Sequence, residues 1–432
     1  MTLMTLSSRH DDVSTVPAPQ PTFDGVDLQA LAARLGTPLH AYSANAIRQR
    51  IDGLKAALVG LDATICYAVK ANSNRAILEL MAAAGLGADI VSAGELRRAL
   101  DAGIPAGRIV FSGVGKTDEE IGAALDAGIA RFNVESLDEL HAIERVAAAR
   151  RAVANAAVRI NPDVDALTHA KISTGRAENK FGVSIAEARR WFAERRQLAH
   201  VRLDGLHVHI GSQILDLTPF RLALNRVAAF WRELVLAGHP VASIDVGGGL
   251  GVRYRAGQDQ PIAASDYASV IREALAGFEG RLLLEPGRYL VAEAGVLLTR
   301  VLRIKEGTER RFLVLDAAMN DLQRPSLYDA WHDIVPVSPA PRSLATYDVV
   351  GPVCETGDTF ARGRVLPACE PGDLLAIQGT GAYGASMAST YNSRPLAAEV
   401  LLDDGRYAVV RRRQTLEEMV AGEQSAQDWA TP

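Results

Sequence analysis

The chain has 432 residues, 48% of them hydrophobic and 22% charged, the balance of a globular protein long enough for about two or three domains. Its formal net charge of −5 is spread along the sequence, which leaves no basic footprint for nucleic acid or a membrane surface. Cys66, Cys354 and Cys369 are too few for a disulfide framework and lack metal-ligand spacing, so no metal and a reducing, cytoplasmic setting are expected.

Residues 1–22 read as a loose tail, polar and rich in Ser, Thr and Pro, without the apolar stretch of a secretory signal. No apolar run reaches the ~20 residues that span a bilayer. Glu285, Arg288 and Glu293 interrupt the densest one, 282–302. From Ser43 onward strands and amphipathic helices alternate. A helix over 44–58 leads into a strand at 64–69 that closes on Lys70, and a helix at 75–84 follows. Further strands are expected at 88–92, 108–112, 131–134, 156–160, 205–210, 243–246 and 281–284. Helices at 94–102, 118–127, 137–150, 185–198, 219–237 and 265–278 separate them, with a polar excursion over 161–182. Strict alternation of this kind implies a parallel sheet with right-handed crossovers. Eight units within ~250 residues imply a closed (β/α)8 barrel, here assigned to residues 44–290.

Beyond Arg288 the helical periodicity thins. Short β-rich runs at 296–304, 311–315, 348–350, 374–378 and 399–402, separated by turn residues, predict a β-domain of sandwich or barrel type. Whether the segment before Ser43 adds a strand to it, the pattern alone leaves open.

The unusual residues cluster at the carboxyl ends of barrel strands, where such folds carry their chemistry. Lys70 closes an apolar strand, and desolvation there lowers a lysine pKa, leaving a neutral amine able to form a Schiff base. The plainer alternative is a lysine pointing into water. Asp89 lies in strand two. His209 and Ser212 end strand six, Gly247-Gly248-Gly249 ends strand seven, and Glu285-Pro286-Gly287-Arg288 ends strand eight. Glycines without Cβ atoms admit a phosphate, although a triple glycine also serves as a flexible turn. A Schiff-base lysine, a phosphate loop and a carboxylate for a ring nitrogen together point to pyridoxal 5'-phosphate (PLP). His209 would stack on the ring, unless it is a satisfied core histidine. In the β-domain, Arg324 and Tyr328 with Arg288 suit a carboxylate, Cys354-Glu355 occupies a turn, and Tyr383 stands in a glycine-rich loop.

Taken together, Tyr67-Ala68-Val69-Lys70-Ala71-Asn72, His209-Ile210-Gly211-Ser212-Gln213, Gly247 to Gly251, Glu285 to Arg288, Gly351 to Glu355 and Gly381 to Gly384 form a set of motifs. The set resembles the PLP-dependent decarboxylases with an alanine-racemase-type barrel, which act on ornithine, arginine or diaminopimelate. Ser112 to Thr117, Glu178 to Gly182, Asp316 to Asn320 and Arg324 to Tyr328 are similar to the diaminopimelate branch, and the likeness runs from about Thr37 to Glu417.

The resemblance implies that residues 23–43 join 291–432 in one β-sandwich domain, and that a homodimer shares its active sites. It implies Lys70 as the covalent PLP lysine and His209 stacking on the ring as a catalytic residue. Ser212, Gly248, Gly249 and Gly287 would hold the phosphate and Glu285 the ring nitrogen, with Asp89, Arg288 and Tyr383 also on the cofactor side. Arg288, Arg324, Tyr328, Glu355 and Tyr383 would bind substrate, and Cys354, entering from the neighbour, would supply a proton. Thr356 stands where the family usually has serine. The implied reaction converts meso-diaminopimelate to L-lysine. A decarboxylase of ornithine or arginine, or a PLP carrier without turnover, are the rival readings.

Overall fold

The computed structural model describes residues 18–166, 180–338 and 341–426. The tail expectation therefore lies outside the described residues from 1 to 17, as do 167–179 of the polar excursion.

Eight parallel strands close into a barrel in chain order: Ala63–Ala68, Gly87–Ile90, Ile109–Phe111, Arg131–Val134, Ala154–Arg159, Val201–His207, Ser243–Asp245 and Arg281–Leu284. The last pairs with the first, Leu282 opposite Ala63 and Leu284 opposite Ile65, so no edge remains. Local chemistry sets where the surrounding helices start. Helix Asp118–Ala127 has a full capping box from Thr117 and Glu120, three acidic residues in its first turn, and left-handed Gly128 at its end. Helix Leu137–Arg150 starts where the Ser136 side chain accepts the N–H of Glu139. Helix Ala44–Ala57 precedes the first strand and packs against helices Ala264–Ala274 and Arg75–Ala83, filling the place in the outer ring that the single turn Arg288–Val291 cannot.

The β-domain is built on strand Gly295–Glu306. Its first half pairs with Leu39–Ser43 and Leu374–Gln378, its second half with Arg311–Leu315, and the register shifts between Val301 and Arg303. Val296 and Leu298 enter one apolar core while Leu297 and Val301 enter another, so both faces of this strand are covered. Leu39–Ser43 runs between Gly295–Glu306 and Ala398–Asp403, answering the question the sequence pattern left open.

Candidate active site

Strand Ala63–Ala68 stops before Lys70, which sits in the following single turn Val69–Ala71. Its Nζ lies 2.5 Å from Asp89 Oδ2 on the adjacent strand. Asp89 is fully buried, whereas the Lys70 side chain is 39% exposed in the barrel mouth. This corrects the expectation of a neutral amine. Burial does act to lower the Lys70 pKa, but the charges of Asp89 and then Glu285 outweigh it and hold the amine above its ordinary value. The ammonium must lose a proton before it can act as a nucleophile.

Glu285, just past strand Arg281–Leu284, is 6% exposed and surrounded by donors. Its Oε1 accepts from Asn133 Nδ2 at 3.0 Å and Ser112 Oγ at 3.2 Å, and its Oε2 faces His207 Nε2 at 3.2 Å. Burial alone would raise this carboxyl, yet His207, Lys70 and His209 keep it well below the usual carboxylate range. Beside it Asp245 is pushed up to about 8 by burial and then by the charge of Glu285. Within this buried group the negative charge rests on Glu285.

His209 is neutral. Burial, then the charge of Arg159, lowers its pKa to about 3, and its Nδ1 accepts the N–H of Gly248 at 3.1 Å. That N–H is thus engaged by the histidine, rather than bare as the glycine run suggested. The glycines are not a flexible turn either. A Cβ on Gly248 would lie 2.2 Å from the Glu285 carbonyl oxygen, and one on Gly249 (φ +111°) would lie 2.6 Å from that of Gly211. Close approach of three backbone segments demands glycine here.

Arg288 is buried and bound on every side. Its Nε and Nη2 donate to Ser212 Oγ at 3.1 and 3.0 Å, and Nη1 donates to the Tyr254 hydroxyl at 2.6 Å. The Tyr383 ring lies 4.8 Å from this guanidinium, on a residue held at φ +56° whose N–H donates to the Ala71 carbonyl. Lys70, His209, Ser212, Gly249, Glu285, Gly287, Arg288 and Tyr383 all line one cavity. A larger hollow on the β-domain, bordered by Trp331, Arg362 and Arg364, gathers no comparable set.

Arg324 opens the short helix Arg324–Tyr328 and reaches the same region through Tyr254, whose ring it overlies at 4.2 Å. Tyr328 closes the same short helix that Arg324 opens. Cys354 and Glu355 behave differently. They are exposed, on the loop between strands Leu344–Val350 and Thr359–Pro367, and neither lines the cavity. The Cys354 N–H is held by Asn392 Oδ1 at 2.9 Å. Of the Glu178–Gly182 motif, residues 178 and 179 lie outside the described residues.

Sequence reasoning missed Asn133, His207, Asp245, Tyr254 and His332 as site residues. The first three were findable, because each is a polar side chain at or next to the carboxyl end of a barrel strand, where such folds carry their chemistry.

A family model for the pyridoxal-binding domain of pyridoxal-dependent decarboxylases matches residues 44–292. The chain is 48% identical over 407 residues to the diaminopimelate decarboxylase of Zymomonas mobilis, covering 94% of this chain and 96% of that one. The diaminopimelate decarboxylase of Pseudomonas aeruginosa is also 48% identical, with coverage of 93% and 96%. The crystal structure of diaminopimelate decarboxylase from Helicobacter pylori complexed with L-lysine aligns with a TM-score of 0.88 and 46% identity, covering 91% of this chain and 98% of that chain.

Proposed function

The chain belongs to the pyridoxal-dependent decarboxylases, and from that premise we propose that it converts meso-2,6-diaminopimelate to L-lysine and carbon dioxide, the closing step of lysine biosynthesis from diaminopimelate. The observation that carries the substrate is the pair of buried guanidiniums, Arg288 and Arg324, on the same tyrosine beside the amine-bearing cavity. A substrate with a cation or no charge at its far end would leave both guanidiniums without an anion to answer their charge, at a cost of several kcal/mol.

The residues present fit PLP. An amine and a carboxylate held ionised line one cavity, a neutral imidazole bonds the glycine loop beside them, and a Cβ has no room at Gly248 or Gly249 and only a tight fit at Gly287. Lys70 would carry the cofactor covalently, Glu285 would keep a proton on its ring nitrogen, and His209 would lie against its ring. Ser212 and the glycines would hold the phosphate, with Asp89, Arg288 and Tyr383 around it. When bound, PLP supplies an electron sink for the pair left at Cα as carbon dioxide departs.

The chain's own groups do the rest. Arg288, Arg324 and Tyr328 fix the distal carboxylate, which orients the reacting end over Lys70. Asp89 would hold the Lys70 ammonium beside the reacting end. Tyr383 closes the mouth against water. Cys354 delivers a proton to Cα and Glu355 receives the substrate's distal ammonium, both supplied by the second subunit of a homodimer. That assignment is supported by their exposure and by their absence from the lining of their own chain's cavity. Incubating the PLP-loaded protein with meso-diaminopimelate and identifying the amine released tests the proposal. L-lysine with stoichiometric carbon dioxide is expected, and no amine product would overturn it.

A further inference from the structure

Behind the two arginines stands a pair of rings that the proposed chemistry does not use. Tyr254, on the loop after the glycine run, is 7% exposed, and His332, in the β-domain, is 1% exposed. The rings meet edge to face, with centroids 5.1 Å apart at 74°. Tyr254 presents its hydroxyl to Arg288 Nη1 at 2.6 Å and its face to the Arg324 guanidinium at 4.2 Å. One phenol therefore sets both cations, one by its oxygen and the other by its ring.

His332 has its tautomer fixed by its neighbours. Its Nδ1 lies 2.7 Å from the Gln378 carbonyl, which can only accept, so Nδ1 carries the proton. Its Nε2 lies 2.8 Å from Arg324 Nη1, which can only donate, so Nε2 offers its lone pair. Gln378 ends strand Leu374–Gln378, paired on both sides, which anchors the imidazole to the rigid part of the β-domain. Among the described residues the buried Arg324 Nε has no hydrogen-bond partner, so the guanidinium is held from behind with donors left over. Gly379 completes the wall. At φ +70° the backbone favours glycine, and a Cβ there would lie 3.1 Å from the Tyr254 ring and press on it.

We propose that Tyr254 and His332 are positioning residues: a barrel–β-domain platform that fixes Arg288 and Arg324 at the separation one carboxylate requires, and so sets selectivity for an amino acid with a second carboxylate. The inference rests on the reading of these arginines as the distal-carboxylate site. Two like charges side by side repel, and a neutral acceptor with a neutral ring holds them in register before substrate arrives.

The test compares His332→Leu, His332→Gln, Tyr254→Phe and Arg324→Ala with the wild type, all loaded with PLP. Steady-state kinetics on meso-diaminopimelate are read beside cofactor absorbance and thermal midpoint. His332→Leu should raise KM roughly tenfold or more with kcat within about threefold, as expected for loss of a hydrogen bond to a charged group. His332→Gln, whose side-chain oxygen replaces the Nε2 acceptor, should recover most of that loss. Tyr254→Phe keeps the volume and the ring face, should raise KM several-fold, and carries the test should His332→Leu fail to fold. Arg324→Ala should raise KM by about 100-fold. Unchanged KM in Tyr254→Phe and both His332 variants, with Arg324→Ala impaired, would overturn the platform and leave the carboxylate site standing. Unchanged KM in Arg324→Ala would overturn the site itself.

Discussion

Tyr383 donates its backbone N–H to the carbonyl of Ala71, 2.8 Å away, so a loop of the β-domain is fastened to the turn that carries Lys70. Ser386 Oγ donates to the same carbonyl at 3.1 Å, and Asn72 Nδ2 donates back to Gly381 at 3.0 Å. Tyr383 is thus held where it completes a cavity otherwise lined from the barrel side. Asn72→Ala removes one of these buried bonds, a loss of about 1 kcal/mol, and should weaken PLP retention about fivefold. Cofactor release followed by absorbance checks this, and unchanged retention would mean the barrel alone forms the pocket.

The covalent role of Lys70 has its own test. Borohydride reduction of the PLP-loaded protein and peptide mapping should place the fixed label on Lys70, and Lys70→Ala should carry none. Label on Lys116, which is instead buried against Glu139, would refute the assignment.

His209 makes stability depend on pH. Its pKa falls from 6.5 free to about 3 folded, so the unfolded chain binds the extra proton between those values. Stability from the neutral ring is complete above pH 6.5 and is lost as pH falls toward about 3. The thermal midpoint of His209→Asn should therefore drop less steeply than that of the wild type between about pH 7 and pH 5. Parallel curves would show that His209 is not buried neutral.

Assembly can be read from hybrids. Equal mixing of Lys70→Ala with Cys354→Ala subunits should restore about a quarter of wild-type activity, because half the dimers are mixed and each holds one intact site. With both parent variants inactive, no recovery despite verified subunit exchange would place Cys354 in its own chain's site.

Much of this was legible in the sequence. Strands Arg131–Val134 and Arg281–Leu284 and helices Asp118–Ala127 and Leu137–Arg150 fall where the alternating strand–helix pattern put them. Strands Thr359–Pro367 and Arg406–Arg411 were not expected. The first contains Gly363 at φ +58° and ends in proline, and the second is an edge strand with no buried residue, so neither shows apolar alternation. The Lys70 charge state was misread because a strand-end lysine reveals its desolvation but not its partner, and Asp89 is 19 residues away in sequence. Tyr254 and His332 gave no local signal. One follows a glycine loop, the other precedes a β-strand, and only the packed fold joins them.

The proposed selection of a substrate with a distal carboxylate falls to two buried arginines, Arg288 and Arg324. Its most direct test is competition: PLP-loaded wild-type protein given equal meso-diaminopimelate and ornithine, with both amine products quantified over time. Lysine should exceed putrescine by at least about 100-fold, the discrimination expected when buried charges lose their partner. Comparable amounts of the two products would contradict the carboxylate clamp and the diaminopimelate assignment with it.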